Sequence, residues 1–168
     1  IIVSGLTKEK AYFFNIAVKD IDEMISVYTM AGTVTLDGTP PTPGGLAGKA
    51  DLYVTTVTPT SLILNWDKST DNISTHKNIS YKVYQAEGDS LDSLDDIDEN
   101  GVAISDWIIN ENSFSITDLQ ENSTSYFNIV ARDEAGNKAL YTMKEVTTPG
   151  ITGPVPGDDG VITIVPAE

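Results

Sequence analysis

The sequence aligns with itself. Leu6 to Met30 lies without a gap on Leu119 to Met143, an offset of 113 residues, and in that register Leu6, Phe14, Asn15, Ile16, Asp20, Tyr28, Thr29 and Met30 recur as Leu119, Phe127, Asn128, Ile129, Asp133, Tyr141, Thr142 and Met143. The offset carries on through Pro43-Gly44 and Pro156-Gly157. A chain that repeats itself at such a spacing is expected to be built from modules that each fold around their own core. The phase divides the chain into the end of one repeat (residues 1–38), a linker rich in proline and glycine (39–50), one complete repeat (51–149), and a second linker with the first strand of a third repeat (150–168).

Within the complete repeat the apolar residues alternate, which is the period of a half-buried strand and not of a helix. Leu62, Leu64 and Trp66 fall on one face, as do Tyr81 and Val83, then Phe114 and Ile116, then Phe127, Ile129 and Ala131. The β-branched and aromatic runs Leu52 to Val57 and Lys138 to Val146 add a first and a last strand. Seven short strands separated by turn signals predict an all-β, antiparallel seven-stranded β-sandwich, with a partial second sandwich at the N-terminus.

The spacing of particular residues is more specific. Leu62-Ile63-Leu64-Asn65-Trp66, Thr70-Asp71-Asn72 and Tyr81-Lys82-Val83-Tyr84 resemble strands B and C of a bacterial fibronectin type III module. Leu119, Thr124, Phe127, Ile129, Ala131 and the run Asp133 to Asn137 resemble strand F and the F–G hairpin of that family. The resemblance implies that residues 1–38 hold strands E, F and G of a preceding module, and that a short helical or loop insert follows strand C. It also implies a tyrosine six residues after the E–F leucine, whose hydroxyl ties back to the backbone. Tyr12 obeys, but the complete repeat has Ser125 there and Tyr126 one place later, so either Tyr126 rebuilds the corner or the hydrogen bond is lost.

Charge narrows the choice of partners. With 25 acidic and 10 basic residues the chain carries a formal charge of -15, which repels phosphate backbones and anionic headgroups, so neither nucleic acid nor membrane insertion is expected. The absence of cysteine removes disulfides and thiolate metal sites. Ile1 in place of methionine marks a processed product or a piece of something longer.

The acidic stretch Glu87 to Asp106 holds the one pattern with the look of a metal site. Asp96-Ile97-Asp98-Glu99-Asn100-Gly101 supplies oxygen donors at alternate positions and a glycine at the sharp turn, as in the first half of a calcium loop. The closing glutamate is missing, because Trp107 stands at the twelfth position and only Asp106 is near. On this reading Asp96, Asp98, Asn100 and Asp106 bind calcium, and there is no other cofactor. The competing reading is a short amphipathic helix with Leu91, Leu94 and Ile97 on one side, a Ser93–Asp96 capping box, and Gly101 as a left-handed terminator.

Trp107 and Tyr84 are the candidates for partner contact, Trp107 either covering the sandwich edge or standing as a platform for a sugar or peptide. Trp66 reads as core, and the lone His76 as an exposed loop residue. Glu134-Ala135-Gly136-Asn137 reads as a hairpin in which Gly136 takes a positive φ. No residue set offers a catalytic mechanism, so the expectation is a non-catalytic spacer and protein–protein interaction or adhesion module of a large exported bacterial surface protein, located outside the cell. Its partners are then neighbouring repeats, other copies of the chain, or a surface protein or glycan. The first alternative is a linker or glycan-binding module of a secreted polysaccharide-degrading enzyme. The second is a filament subunit assembled by strand donation, with Val161-Ile162-Thr163-Ile164-Val165 as the donated strand and the apolar face of residues 1–36 as its acceptor.

Overall fold

The computed structural model describes residues 1–45 and 49–151. The expected third-repeat segment, including the strand Val161 to Val165, lies outside the described residues. In chain order the strands are β1 (Ala11–Phe14), β2 (Ala17–Lys19), β3 (Ile25–Val27), β4 (Ala31–Val34), β5 (Leu52–Thr55), β6 (Leu62–Trp66) and β7 (Ser80–Ala86). After a short helix α1 (Leu94–Asn100) come β8 (Val102–Ala103), β9 (Ile108–Ile109), β10 (Ser113–Ile116), β11 (Thr124–Arg132), β12 (Lys138–Leu140) and β13 (Lys144–Thr147).

From β5 onward the strands form two antiparallel sheets facing each other. One has the order β10-β6-β5. The other runs β12-β11-β7-β8, with β13 also on β11 and β9 also on β7. The inward faces are the ones the alternation marked. Leu62, Leu64 and Trp66 from one sheet meet Tyr81, Val83, Phe127, Ile129 and Ala131 from the other, all essentially without solvent contact. Burying each large side chain of this kind is worth about 1.5–3 kcal/mol, so this interior dominates the stability of the module. Trp66 leans on the Tyr81 ring with centroids 5.5 Å apart, and its Nε1 is buried without an acceptor.

One expected strand is broken. It is the last one, interrupted at Tyr141-Thr142-Met143, where Tyr141 turns into the core and its hydroxyl donates to the Asp67 carbonyl. Thr142 N–H leaves the ladder to bond the Ala50 carbonyl at 2.9 Å. The edge beyond β7 is likewise split into β8 and β9, with residues 104–107 between them.

At the N-terminus the four strands make two hairpin pairs, β1 with β4 and β2 with β3. Their registers reproduce those of the complete sandwich at the 113-residue offset. Ala11↔Val34 and Phe14↔Ala31 have their counterparts in Thr124↔Thr147 and Phe127↔Lys144, and Ala17↔Val27 has its counterpart in Val130↔Leu140. The left-handed residues recur as well: Gly5, Glu9 and Glu23 have positive φ, and so do Asp118, Asn122 and Gly136. Among the described residues no strand precedes β1, although the E strand was expected within residues 1–38. β10 spans residues 113–116, so its counterpart in this register coincides with the first three residues.

The loop that joins the sheets at the E–F corner resolves the missing tyrosine. Tyr12 accepts the Thr7 N–H at 2.8 Å, closing the corner in the first repeat. Tyr126 does not rebuild it. It packs instead on the outer side of the sheet, against the insert that carries α1. What the two corners share is a threonine strap. Thr35 Oγ1 donates to the Thr7 carbonyl at 2.6 Å and accepts the Lys10 N–H at 2.9 Å. Thr148, in the same register, bonds the Gln120 carbonyl and accepts the Ser123 N–H at 3.2 Å. The hydroxyl alone therefore holds the corner where the phenol is absent.

Candidate functional site

The acidic insert is helical where calcium would need a loop. Ser93 caps α1, its Oγ accepting the Asp96 N–H at 3.0 Å and donating to Asp96 Oδ2 at 2.7 Å. Asp96 thus spends its carboxylate on the capping box. Asp98, two positions further along the helix, points away from Asp96, and only Asn100, a full turn on, returns to the Asp96 side. Asp106 is exposed and follows β8 in the chain. The structure therefore does not bring Asp96, Asp98, Asn100 and Asp106 together.

Gly101 is not left-handed either: its φ is -81°. The chain passes straight from the helix into β8, which calls for extended backbone. The glycine is needed for a different reason, since a Cβ there would stand 2.6 Å from the Ile97 carbonyl oxygen. Leu91 and Ile97 are buried against Val130, and Asn128 Nδ2 donates to the Leu91 carbonyl at 2.7 Å from inside the sheet. The insert is thereby fixed to the outer face of β11.

Trp107 and Tyr84 are brought together in this same outer cluster, both half-buried. The Arg132 guanidinium lies 3.9 Å from the Trp107 ring centre, and Lys82 Nζ stands 5.9 Å from the Trp107 and Tyr84 rings. Burial and the Asp98 carboxylate push the Tyr84 phenol up. One face of Trp107 is therefore already taken by a cation, an attraction of roughly 0.5–2 kcal/mol. His76 is exposed, with Nδ1 2.7 Å from the Ser69 carbonyl.

A second acidic group lies at the junction between the N-terminal segment and the sandwich, and no spacing along the chain points to it. Asp37 follows β4, Asp71 sits in the loop after β6, and Asp133 opens the β11–β12 turn. The three can each present a carboxylate oxygen within 4.8 Å of the others. Asp133, 3% exposed, accepts the Asn137 N–H and its side-chain amide, both at 2.8 Å. Asp71 Oδ2 accepts the N–H groups of Ile73 and Ser74, and Asp37 Oδ1 that of Thr39. The other two oxygens, Asp37 Oδ2 and Asp71 Oδ1, expose less than 1 Å² each and have no hydrogen-bond donor.

Further contacts cross the same junction. Glu9 accepts from Thr39 Oγ1 at 2.6 Å and from Asn72 Nδ2 at 2.7 Å, and Thr42 pairs with Thr70 as a β-bridge. The Thr39 hydroxyl, outweighing desolvation, lowers the Glu9 carboxyl. The Thr39 N–H works the same way on Asp37, but desolvation and the Glu9 and Asp71 carboxylates together prevail and raise it. Among the described residues the ion pair is Lys19–Glu23, far along the first hairpin, so no lysine or arginine neutralises the junction acids.

A model of the fibronectin type III domain matches residues 41–146. The chain belongs to the fibronectin type III family. Fibronectin type III domains are in general non-catalytic modules. Chitinase A1 of Niallia circulans is 29% identical over 161 residues, covering 89% of this chain and 20% of the enzyme. The chain thus spans about a fifth of the length of the curated relative it matches. That alignment reaches well outside residues 41–146, into the flanks. Among solved structures, a crystal structure of consecutive titin domains is 19% identical with a TM-score of 0.50, covering 86% of this chain and 43% of that one. A fibronectin type III domain of human fibronectin type III domain containing protein 3 is 17% identical with a TM-score of 0.48, covering 74% and 98%. No helix of the described residues is long and apolar enough to cross a membrane. Against the fibronectin type III pattern, the departure of this module is the threonine strap in place of the corner tyrosine.

Proposed function

We propose that this chain is a spacer of consecutive fibronectin type III modules in a larger exported bacterial protein, and that this protein degrades a polysaccharide outside the cell. The observation that carries the spacer reading is the recurrence, 113 residues apart, of both hairpin registers, three left-handed positions and the threonine strap. So many coincident backbone details are what two copies of one module produce. The alignment to a chitinase, extending into the flanks of the matched domain, favours an enzyme's accessory region over an adhesin.

Trp107 supports the spacer role over glycan binding, because Arg132 lies against its ring and the insert packs around it. On this reading Trp107 and Tyr84 hold the insert to the sheet. Small-angle scattering on a chain extended to two full repeats tests the proposal: a rod about two modules long is expected, and a single compact globule refutes it. Co-sedimentation with insoluble chitin is the second measurement. Binding of this chain that disappears in Trp107→Ala would replace the spacer reading with glycan recognition.

A further inference from the structure

We propose that Asp37, Asp71 and Asp133 form a calcium site that clamps the N-terminal segment to the sandwich. Three carboxylates from three separate parts of the chain converge within 4.8 Å, and one of them, Asp133, is 97% removed from solvent by the 3% exposure it retains. Convergence of acids is not by itself a site, since exposed carboxylates crowd many surfaces. The second observation is the state of the oxygens. Asp37 Oδ2 and Asp71 Oδ1 are shut off from water and receive no hydrogen bond, although the large majority of buried side-chain polar atoms have a partner. Both belong to the converging carboxylates, and a cation is the partner that satisfies two such oxygens at once.

The donors choose the ion. All three are carboxylates, with no histidine or cysteine among them, which suits a hard cation and disfavours zinc. Calcium takes oxygens at about 2.3–2.6 Å, so opposite ligands stand roughly 4.6–5.2 Å apart, whereas magnesium at about 2.0–2.1 Å needs them near 4.2 Å. Oxygens within 4.8 Å of one another fall inside the calcium span, and magnesium, which keeps most of its waters, is usually held by one or two carboxylates and not three. The rest of the site is already fixed in place. Asp71 is held by Ile73 and Ser74, Asp133 by Asn137, and Asn137 also donates to the Asp37 carbonyl at 3.4 Å. With only three carboxylates and water to complete the shell, the affinity belongs to the range of about 10⁻⁴–10⁻³ M found for extracellular calcium modules.

This inference rests on the geometry of the chain itself and stands whether or not the parent protein degrades a polysaccharide. The experiment is thermal unfolding of the full chain in chelator, in 5 mM calcium at about five to fifty times the expected dissociation constant, and in potassium chloride of equal ionic strength. A rise in Tm of a few degrees is expected with calcium over both controls. Asp71→Asn and Asp37→Asn should each abolish that rise and leave the Tm in chelator unchanged or higher, because they remove like charge. Asp98→Asn, in the helical insert, should retain it. No calcium-specific rise in the wild type, a rise that survives both junction substitutions, or one lost in Asp98→Asn, overturns the proposal. Should a junction variant fail to fold, calcium titration of the wild type by amide chemical shifts decides: changes must centre on residues 37–39, 71–74 and 133–137.

Discussion

Residues 11–34 and 124–147 make the same hairpins in the same register, yet they live in different surroundings. Ile16 is 57% exposed and its counterpart Ile129 is sealed; Tyr28 is 64% exposed and Tyr141 only 3%. Backbone bonds are shared down to single atoms. Ile16 N–H bonds Asn15 Oδ1 as Ile129 N–H bonds Asn128 Oδ1, and Met24 N–H bonds Asp20 Oδ1 as Asn137 N–H bonds Asp133 Oδ1. The hairpin pairing is thus written in local turn chemistry, with Asx turns and left-handed residues setting the register. Burial is a separate matter, supplied by β5, β6 and β10, and the same side chains are core or surface according to whether that second sheet is present.

The contrast can be broken most severely at the isoleucines. Ile129→Ala should cost about 2–5 kcal/mol in denaturant unfolding, the usual penalty for emptying a core position. Ile16→Ala should cost under about 0.5 kcal/mol, as at exposed sites. Equal losses would mean that the two hairpins share one environment after all.

The straps offer a sharper test, because the threonine bonds are alike while solvent access and the support of Tyr12 differ. Thr148→Val leaves the Gln120 carbonyl and the Ser123 N–H without their partner and should cost about 1–3 kcal/mol. Thr35→Val opens a half-exposed corner to water, so its effect should be confined to faster exchange of the Lys10 amide. Hydrogen exchange at Lys10 and Ser123 in the two variants separates a local strap from a structural one.

A third test uses pH. Burial lifts the Tyr141 phenol above its ordinary value of 10.0, with the Ser69 hydrogen bond opposing and Tyr81 and Asp67 reinforcing the rise. A raised folded value means stability is fully present below pH 10 and is lost as pH climbs past it, because the unfolded chain ionises first. Between pH 10 and 11 the loss should be on the order of 1 kcal/mol. Tyr141→Phe, less stable at neutral pH, should show a shallower decline over that interval. An identical slope would detach Tyr141 from the alkaline loss.

The smallest effect is at the turn tips. Gly136 and Glu23 share a register position and a positive φ of 93° and 69°. Gly136→Ala should destabilise by about 1 kcal/mol, while Glu23→Gly should relieve a comparable strain and slow exchange across the first hairpin.

The sequence disclosed most of the sandwich because alternation is a property of the strand itself. Leu62 to Trp66 and Phe127 to Ala131 announce their buried face without help from the rest of the chain. The break at Tyr141 was hidden, since it depends on Asp67 and Ser69, some seventy residues away, receiving the hydroxyl. The corner shows both sides: the loss of the tyrosine was legible at Ser125, but Thr148 is a lone hydroxyl whose partners lie 25 and 28 residues back. The insert was readable as either loop or helix, and Ser93 with Leu91 and Ile97 decided it. The junction acids could not be read at all. Asp133 looked like ordinary turn chemistry, which it also performs, and only the fold sets it beside Asp37 and Asp71.

The linker has a mechanical consequence. Thr42 exchanges two backbone bonds with Thr70, of 2.7 and 2.9 Å, and Gly44 N–H rests on the Tyr141 hydroxyl at 3.3 Å. Tension arriving from the N-terminal side travels along residues 39–45 and loads these three bonds before it reaches β5. If they part, the load passes to the Lys49 and Ala50 carbonyls, which Thr142 holds through its hydroxyl and its N–H, with both sheets of the sandwich still closed. The linker is in that sense a latch, which gives first under load and re-closes on a template that has not unfolded.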